Sequence, residues 1–306
     1  MKALIQMSAE LEVSFATVIG LCLSASHRYK EFAIPKRSGG TRIIHHPARK
    51  IKILQRWAAS NLLGNMPIHD SAYAYVTGRS VRQCVEQHIG SSYFLKMDFR
   101  NFFPSVDIGA VVTILGRSSE YSRTDLDHNE TVLFASLLTR FGELPIGSPA
   151  SPAITNIYMF GFDEKMIRVC AERGLVYTRY ADDLTVSGQD RSALNDIPAF
   201  VSDILKKYDR GGMMLNEGKT RFLSFAGRVS LLGLNITPQG QISIGRDLKR
   251  QLRAGIHNAR LGRAAPAEMA TLSGYLNYVN TVEPSLLSRF ERHFGKEFLT
   301  HLRLAN

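Results

Sequence analysis

The sequence predicts an α+β fold in which an antiparallel sheet is backed by helices. Residues 93–98 form an aromatic and apolar run that ends on an acid, which is typical of a strand. Residues 176–186 predict a β-hairpin whose tip carries Asp182 and Asp183. Helical spacing of apolar residues dominates segments such as 48–64 and 129–140. A chain of 306 residues is long enough for two or three subdomains around this sheet.

The segment before the first sheet strand predicts helices followed by a hairpin. Residues 1–27 have helical spacing, and Ser8 is a plausible N-cap. Residues 29–34 and 41–45 alternate as strands on either side of a Ser-Gly-Gly turn at 38–40, so we expect a second, separate hairpin there.

The later segments alternate between helices and short strands. A helix is expected soon after Pro104, and the loop 144–152, with its three prolines and one glycine, opens another helix. Residues 191–208 predict a helix and residues 221–224 a strand. A hairpin around residues 238–240 then leads into a mostly helical C-terminal part.

The chain is strongly basic, and the excess is largest at the C-terminal end. It has 38 Lys and Arg against 27 Asp and Glu, a net charge of +11, which suits a polyanionic partner. The first C-terminal helix carries basic residues at a spacing of three or four, a pattern that also fits a solvated surface. Because the stripe has one sign, we favour contact with a nucleic-acid backbone by Arg246, Lys249, Arg250, Arg253 and Arg260.

Cysteine usage and hydropathy predict a soluble cytoplasmic protein with no membrane partner. Cys22, Cys84 and Cys170 are far apart and match no zinc or redox spacing, so we expect reduced thiols. No apolar run reaches the roughly 20 residues that a membrane span requires.

The acidic pair at the hairpin tip indicates a metal centre. Adjacent carboxylates repel one another unless a cation neutralises them. Asp98, at the end of the strand 93–98, is a third acid in a similar setting. Carboxylates on strand ends that converge are suited to two Mg²⁺ ions in phosphoryl transfer, whereas a solvated turn is the alternative for any isolated Asp-Asp pair.

Six segments in order resemble the sequence blocks of reverse transcriptases, over about residues 26–240. The segments are IPKRSGGTR (34–42), FLKMDFRNFFPSV (94–106), LPIGSPASP (144–152), YTRYADDLTVS (177–187), LNEGKT (215–220) and LLGLNI (231–236). The resemblance implies a right-hand polymerase fold of fingers, palm and thumb. The expected division is 1–92 for the N-terminal helix and fingers, 93–107 and 149–238 for the palm, 108–148 for the connection between fingers and palm, and 239–306 for the thumb.

Within that family, the chain is most similar to bacterial retron enzymes. The compact length, the YTRYADDLT phrase and the short thumb carry this likeness. Two segments that the family associates with its own structured RNA depart from its pattern. The NAxxH segment is 84–88 here and keeps only His88, and the VTG triplet reads LLG at 231–233. Defence-associated or group II-like bacterial reverse transcriptases therefore remain alternatives.

The resemblance implies the metal ligands. Asp98 and Asp182 would bind both Mg²⁺ ions, Asp183 would support the second, and the Phe99 carbonyl would complete the shell. Lys219 matches a lysine proposed to protonate the leaving pyrophosphate, although a surface lysine is the simpler interpretation.

The resemblance also implies a nucleotide pocket. Phe103 matches the steric gate that excludes a ribose 2′-OH, with a core phenylalanine as the alternative. Gly147 would let the backbone approach the nucleotide or template, and Ile146 replaces the glutamine usual in the family. The triphosphate clamp would come from the early hairpin, from Lys36, Arg37 and Arg42, each of which is otherwise a surface charge.

For the nucleic-acid contacts, His88 either touches RNA or is an ordinary hydrogen-bonded histidine. We also expect Tyr275 and Tyr278 on the thumb to track the duplex.

The expected function is RNA-directed DNA synthesis from deoxynucleotide triphosphates. The retron likeness implies a cognate structured non-coding RNA as template and primer, priming from a 2′-OH, single-stranded DNA (msDNA) as product, and an anti-phage role with a separate effector protein. A non-catalytic RNA-binding scaffold and a metal-dependent nuclease are the alternatives from other classes. The clustered acids argue against the scaffold, and a steric gate with a nucleotide clamp argues against the nuclease.

Overall fold

The computed structural model describes residues 1–35, 39–121, 125–208 and 212–304. Its helices are α1 (Lys2–Glu10), α2 (Phe15–Leu23), α3 (Arg49–Asn61), α4 (Val81–Glu86), α5 (Ile108–Gly116), α6 (His128–Leu138), α7 (Ser151–Tyr158), α8 (Phe160–Glu172), α9 (Ile197–Tyr208), α10 (Arg246–Arg260), α11 (Pro266–Val282), α12 (Pro284–Phe294) and α13 (Lys296–Leu304). Its strands are β1 (Tyr29–Pro35), β2 (Thr41–Pro47), β3 (Tyr93–Arg100), β4 (Val176–Tyr180), β5 (Asp183–Gly188), β6 (Met214–Leu215), β7 (Arg221–Ser224), β8 (Val229–Leu231), β9 (Leu234–Ile236) and β10 (Ile242–Ser243). The α+β prediction is confirmed.

The N-terminal helices pack against the body of the protein. Ser14, rather than the predicted Ser8, caps α2 by accepting from the Thr17 N–H, while the Ser8 hydroxyl donates to the Val13 carbonyl beyond the end of α1. The prediction was wrong because the helical spacing hid a break at residues 11–14. In the described part of the chain, no single helix has both the length and the apolar composition to cross a membrane; α1 and α2 pass only as a pair, which bends by 109°.

The early hairpin, β1–β2, is a separate two-stranded sheet. Its register runs from Tyr29 opposite Pro47 to Pro35 opposite Thr41. The His45 N–H donates to the Ile146 carbonyl at 2.7 Å, which ties the hairpin to the loop 144–152. The predicted clamp residues Lys36 and Arg37 lie outside the described residues.

The central sheet has the strand order β4-β5-β3-β6, with β7 also paired to β3. All of these pairings are antiparallel. Side chains alternate between its two faces, as the period of a strand requires. Leu95 and Met97 face the larger hydrophobic core, which also contains α7 and α8 residues, whereas Asp98 lies on the opposite face.

The described residues form a second hydrophobic core at the C-terminal end. It joins β8–β10 with the buried faces of α10–α13, and Phe94 and Val85 from the central region also belong to it. Leu232 and Gly233, with φ of 51° and 83°, form the two-residue turn between β8 and β9, where both central positions must be left-handed. The departure from the family triplet therefore lies on a tight turn.

Candidate active site

The three predicted acids meet at one end of the central sheet. Asp98 on β3 lies directly opposite Asp183 on β5, and Ala181, with φ of 55°, makes the turn from β4 that precedes Asp182. The Phe99 N–H donates to the Asp182 carbonyl at 3.0 Å, which fixes the turn to β3. An extended residue points its N–H and C=O to the same side, so the Phe99 carbonyl is also directed toward this turn.

Burial and mutual repulsion make the acids costly to ionise together. Burial raises the pKa of Asp182, and the Asp98 charge raises it further. Burial, followed by the charges of Asp182 and Asp98, raises the pKa of Asp183 to about 6. When neighbouring carboxylates raise one another's pKa in this way, a bound cation stabilises their ionised forms. A positive charge placed at this site would therefore stabilise the ionised acids.

Lys219 supplies part of that charge. It ends the short 3₁₀ turn Glu217–Lys219, and its Nζ donates to both Asp98 oxygens at 2.9 Å. The Asn216 N–H donates to the Asp98 carbonyl at 2.7 Å, which holds this turn against β3. The predicted catalytic lysine thus contacts a predicted metal ligand directly. A metal ion bound by Asp98 would compete with this ammonium.

The donor set fits hard divalent cations, although the ligands are not already assembled. Among the side chains that the structure describes, no group of three or more His, Cys, Asp and Glu residues is arranged to hold a metal ion. Asp98, Asp182 and Asp183 nevertheless provide oxygen ligands on adjacent strand ends, and oxygen ligands are what Mg²⁺ prefers. The raised pKa values of Asp182 and Asp183 point the same way.

Lys96 is a second cation beside these acids that sequence reasoning missed. It lies two residues before Asp98 on the same face of β3, and its charge lowers the pKa of Asp183. Its Nζ also donates to the Ser230 carbonyl at 3.2 Å, so it links the acidic end of the sheet to β8. The spacing of two residues between Lys96 and Asp98 could have predicted it, because residues i and i+2 of a strand share a face.

The Phe102–Phe103 pair is divided between core and site. Phe102 is 4% exposed and stacks on Phe99 with ring centroids 5.6 Å apart, so it is the core phenylalanine. Phe103 is half-buried, and its ring lies 6.4 Å from that of Tyr75. Phe103 is therefore only partly enclosed by the core, and its role as the steric gate stays a prediction.

Tyr75 is a site residue that sequence reasoning missed. It has a φ of 61° and is 57% exposed, and the Asp182 charge contributes to raising its pKa, after burial. It therefore lies within electrostatic range of Asp182 and beside Phe103. A tyrosine in an irregular segment gives little sequence signal, and only the tertiary structure brings it here.

Arg42 of the early hairpin is near enough to the acids to act on them electrostatically. Its positive charge lowers the pKa of both Asp182 and Tyr75, so its guanidinium lies within electrostatic range of the site. It is exposed on β2, where an anionic ligand can reach it. This arrangement is compatible with the predicted contact to a triphosphate.

Gly147 is required by a close approach to protein backbone. Its φ is 113°, and a Cβ there would lie 2.7 Å from the His45 carbonyl oxygen and 3.0 Å from the Ile44 side chain. The glycine therefore lets the loop 144–152 close on β2. The predicted approach to nucleotide or template stays a prediction.

We expect Gly147→Ala to destabilise the protein by roughly 2 kcal/mol or more, because strain and overpacking add. Gly142→Ala is the matched control, since its φ is 87° but nothing lies within 4 Å of its Cβ position. Urea unfolding would measure both. Equal losses in the two variants would show that the contact with His45 contributes nothing.

His88 is a buried, hydrogen-bonded histidine, which is the second of the two expected alternatives and argues against contact with RNA. It is 1% exposed, its Nδ1 lies 2.7 Å from the Ser187 hydroxyl and its Nε2 lies 2.8 Å from the Thr178 hydroxyl. Both ring nitrogens are used inside the protein. The histidine of this segment joins α4 to the sheet, on the same face as Asp183.

The burial of His88 predicts a pH-dependent stability. Burial lowers its pKa to about 3, against an ordinary value near 6.5, so the unfolded chain binds the extra proton first. Stability is therefore lost as the pH falls below 6.5. Between pH 7.5 and 5.5 we expect His88 to account for a loss of ~1.4 kcal/mol.

Urea unfolding of wild type and His88→Gln at the two pH values would isolate this contribution. The variant should lose less stability on acidification, whereas exposed His301→Gln should behave as wild type. A His88→Gln variant that loses as much as wild type would contradict the prediction.

The basic residues of α10 divide into two groups. Arg246, Arg253 and Arg260 are exposed, and Arg250 is exposed while pairing with Asp247 at 2.9 Å. Lys249 instead donates to buried Glu283 at 2.6 Å, so it corrects the expectation of a free nucleic-acid contact. Lys249 differs from the exposed arginines because it lies at the edge of the basic stripe nearest the core, where Glu283 is buried. Tyr275 and Tyr278 are 42% and 37% exposed on α11.

Comparison with known proteins decides the family. Residues 34–236 match the family model described as reverse transcriptase (RNA-dependent DNA polymerase). The retron Ec83 reverse transcriptase of Escherichia coli is 30% identical over 283 residues, which cover 91% of this chain and 90% of that protein. The chain belongs to the retron-type reverse transcriptases.

Two further relatives are also retron reverse transcriptases. The retron Ec86 reverse transcriptase of E. coli is 28% identical, covering 97% of this chain and 92% of that protein. The retron Mx65 reverse transcriptase of Myxococcus xanthus is 31% identical, and the match spans 86% of this chain but 64% of that protein. This retron-type chain is accordingly an RNA-directed DNA polymerase.

Solved structures support the fold alone. Telomerase from Candida albicans, in complex with a TWJ fragment of telomeric RNA, aligns with a TM-score of 0.51 at 13% identity. The alignment covers 90% of this reverse transcriptase and 60% of the telomerase chain. The right-hand polymerase fold predicted from the sequence is therefore confirmed.

Proposed function

We propose that this reverse transcriptase copies a cognate structured non-coding RNA into single-stranded DNA by nucleotidyl transfer at Asp98, Asp182 and Asp183. The observation that carries the proposal is the direct pairing of Asp98 with Asp183 across β3 and β5, beside the Asp182 turn. The half-buried Phe103 and the charge of Arg42 border the same place, as a nucleotide pocket requires.

Two Mg²⁺ ions would be held by Asp98 and Asp182, with Asp183 supporting one of them and the Phe99 carbonyl completing the shell. Bound there, such ions supply activation of the primer hydroxyl and neutralisation of the triphosphate charge. The raised pKa values of Asp182 and Asp183 support this assignment, because a cation relieves the repulsion that contributes to raising them.

The remaining residues have positioning and proton-transfer roles. Arg42, with Lys36 or Arg37, would hold the triphosphate, and Phe103 would lie under the sugar. The primer hydroxyl loses its proton to water, its oxygen forms a bond to the α-phosphorus, and the bond from the α-phosphorus to the pyrophosphate oxygen breaks. Lys219, whose Nζ pairs with Asp98, would give a proton to the leaving pyrophosphate.

The chain divides along the predicted boundaries in this proposal. Fingers (1–92), palm (93–107 and 149–238), the connection between them (108–148) and thumb (239–306) would enclose the RNA–DNA duplex. The exposed arginines of α10, with Tyr275 and Tyr278, would contact its backbone on the thumb side.

The retron assignment extends the proposal to template and biology. Because the relatives are named as retron reverse transcriptases, the template would be a non-coding RNA that also primes from an internal 2′-OH and yields branched msDNA. An anti-phage role with a separate effector protein is the corresponding biological proposal.

Two experiments test the proposal in turn. Primer extension on poly(rA)–oligo(dT) with Mg²⁺ should give labelled DNA, and degradation of the substrate without extension would favour a nuclease. The nucleic acid that copurifies with the protein should be a branched molecule sensitive to both RNase and DNase. Linear DNA alone would favour a group II-like or other defence-associated enzyme over the retron role.

A further inference from the structure

Arg179 is a fully buried cation beneath the acidic turn. It lies on β4, three residues before Asp182, and its exposed fraction is 0%. Its side chain faces the helix-backed side of the sheet, because its strand partner Leu184 is a core residue there. The strand that leads into the Asp182 turn thus holds a positive charge on the side that faces the core.

The Arg179 guanidinium is held by a buried carboxylate. Its Nη2 and Nε donate to Asp163 of α8 at 2.6 and 2.9 Å, and the Tyr177 hydroxyl donates to the same carboxylate at 2.7 Å. Asp163 is also 0% exposed. Such a pair gains little over well-packed apolar residues, since both charges lose their hydration. A contribution to stability therefore does not explain why this pair is buried here.

The same guanidinium reaches the turn that carries Asp182. Its Nη1 donates to the Ala181 carbonyl at 3.3 Å and to the Asn156 side-chain oxygen at 3.1 Å. Ala181 has a positive φ of 55°, a left-handed conformation that is strained for a residue with a Cβ. Strained turns of this kind persist only where surrounding contacts determine them.

A second branch of the network reaches the backbone directly before Tyr75. Asn156 of α7 donates from its amide nitrogen to the Ala74 carbonyl at 2.8 Å, directly before Tyr75. The backbone of Arg179 is joined to the same segment, since its N–H donates to the Ser71 carbonyl and its carbonyl accepts from the Tyr73 N–H, both at 2.8 Å. One buried network therefore contacts both the acidic turn and the backbone directly before Tyr75, whose ring lies beside Phe103.

We propose that Arg179, anchored by Asp163, is a positioning residue that holds the Ala181–Asp182 turn in its metal-binding conformation, while Asn156 holds the Tyr75 wall of the nucleotide pocket. The inference rests on the proposed function, because it assumes that Asp182 binds metal and that Phe103 and Tyr75 border the nucleotide. Beyond that function, it assigns the metal-binding turn to Arg179 and the wall of the nucleotide pocket to Asn156.

The test compares variants in the full chain by metal binding and by kinetics. Arg179→Lys keeps the charge and the pairing with Asp163 but loses the planar fork that also reaches Ala181. Tyr177→Phe is the matched control, since it removes a buried hydrogen bond to Asp163 without touching the turn. Mn²⁺ binding followed by electron paramagnetic resonance gives a readout that is independent of polymerisation.

We expect Arg179→Lys to weaken Mn²⁺ binding and to lower kcat by about tenfold or more, the range found for residues that orient metal ligands. Tyr177→Phe should lower the unfolding midpoint while leaving Mn²⁺ binding unchanged. Asn156→Ala should raise the KM for deoxynucleotide more than it changes Mn²⁺ binding. If Arg179→Lys does not fold, the paired change Arg179→Met with Asp163→Leu removes both buried charges and should show the same metal defect.

Two results would overturn the inference. One is unchanged Mn²⁺ binding in a folded Arg179 variant, and the other is an equal loss of Mn²⁺ binding in Tyr177→Phe. Failure of the proposed function has a different signature, since wild type would then bind Mn²⁺ without extending a primer, and the binding comparison would still decide the role of Arg179.

Discussion

Replacing Asp98 with asparagine is expected to lower the rate of nucleotide addition at least about 1,000-fold, roughly 4 kcal/mol of barrier. The change is nearly isosteric, but it removes one full charge from the group that pairs with Asp183 across the sheet. It also releases Lys219, whose ammonium would then face Asp182 and Asp183 without its partner. Single-turnover primer extension with Mg²⁺ would measure the rate.

Asp203→Asn provides the control for this prediction. Asp203 is an exposed acid on α9 that pairs loosely with Lys206, so the same chemical change there should leave the rate unaltered. Both variants should keep the wild-type unfolding midpoint within a few degrees. An Asp98→Asn enzyme that retains a tenth of wild-type activity would place the chemistry elsewhere.

Phe103→Val is expected to reduce the preference for deoxynucleotides over ribonucleotides by about 100-fold. The ring is half-buried beside Tyr75, at the edge of the proposed nucleotide pocket, where its removal would leave room for a 2′-hydroxyl. The expected signature is a lower KM for ribonucleotide with little change for deoxynucleotide. Steady-state kcat/KM for dTTP and UTP on the same template would measure it.

Phe102→Val separates a gate from a general packing defect. Phe102 stacks on Phe99 in the core, so its truncation should cost stability by creating a cavity but should leave the preference intact. A Phe102 variant that loses sugar preference as strongly as the Phe103 variant would remove the distinction on which the gate assignment depends.

Local patterns predicted the elements that carry the candidate site. The apolar run before Asp98 and the β-branched residues around Asp182 and Asp183 specify strands, and strand alternation then decides which residues share a face. The Asp98–Asp183 register could not be read from either segment alone. It follows from how the strands pair in the folded sheet, although convergence of the acids was expected.

The misjudged residues were those whose environment comes from distant segments. His88 and Lys249 look like ordinary polar residues in the sequence, yet one is enclosed by Thr178 and Ser187 and the other is paired with Glu283. The close approach of Gly147 to the His45 backbone was likewise not readable from the sequence, and its approach to a nucleotide or template stays a prediction.

By itself, the sequence determined the family, the three acids and the basic character of the C-terminal helices, because each is encoded by residue type and short-range spacing. Only the tertiary structure decided that Arg179 is buried against Asp163 and reaches Ala181, and that Tyr75 stands beside Phe103. The reason is physical. A charge is stable in a core only if a partner from another segment meets it, and such meetings depend on packing across the whole chain.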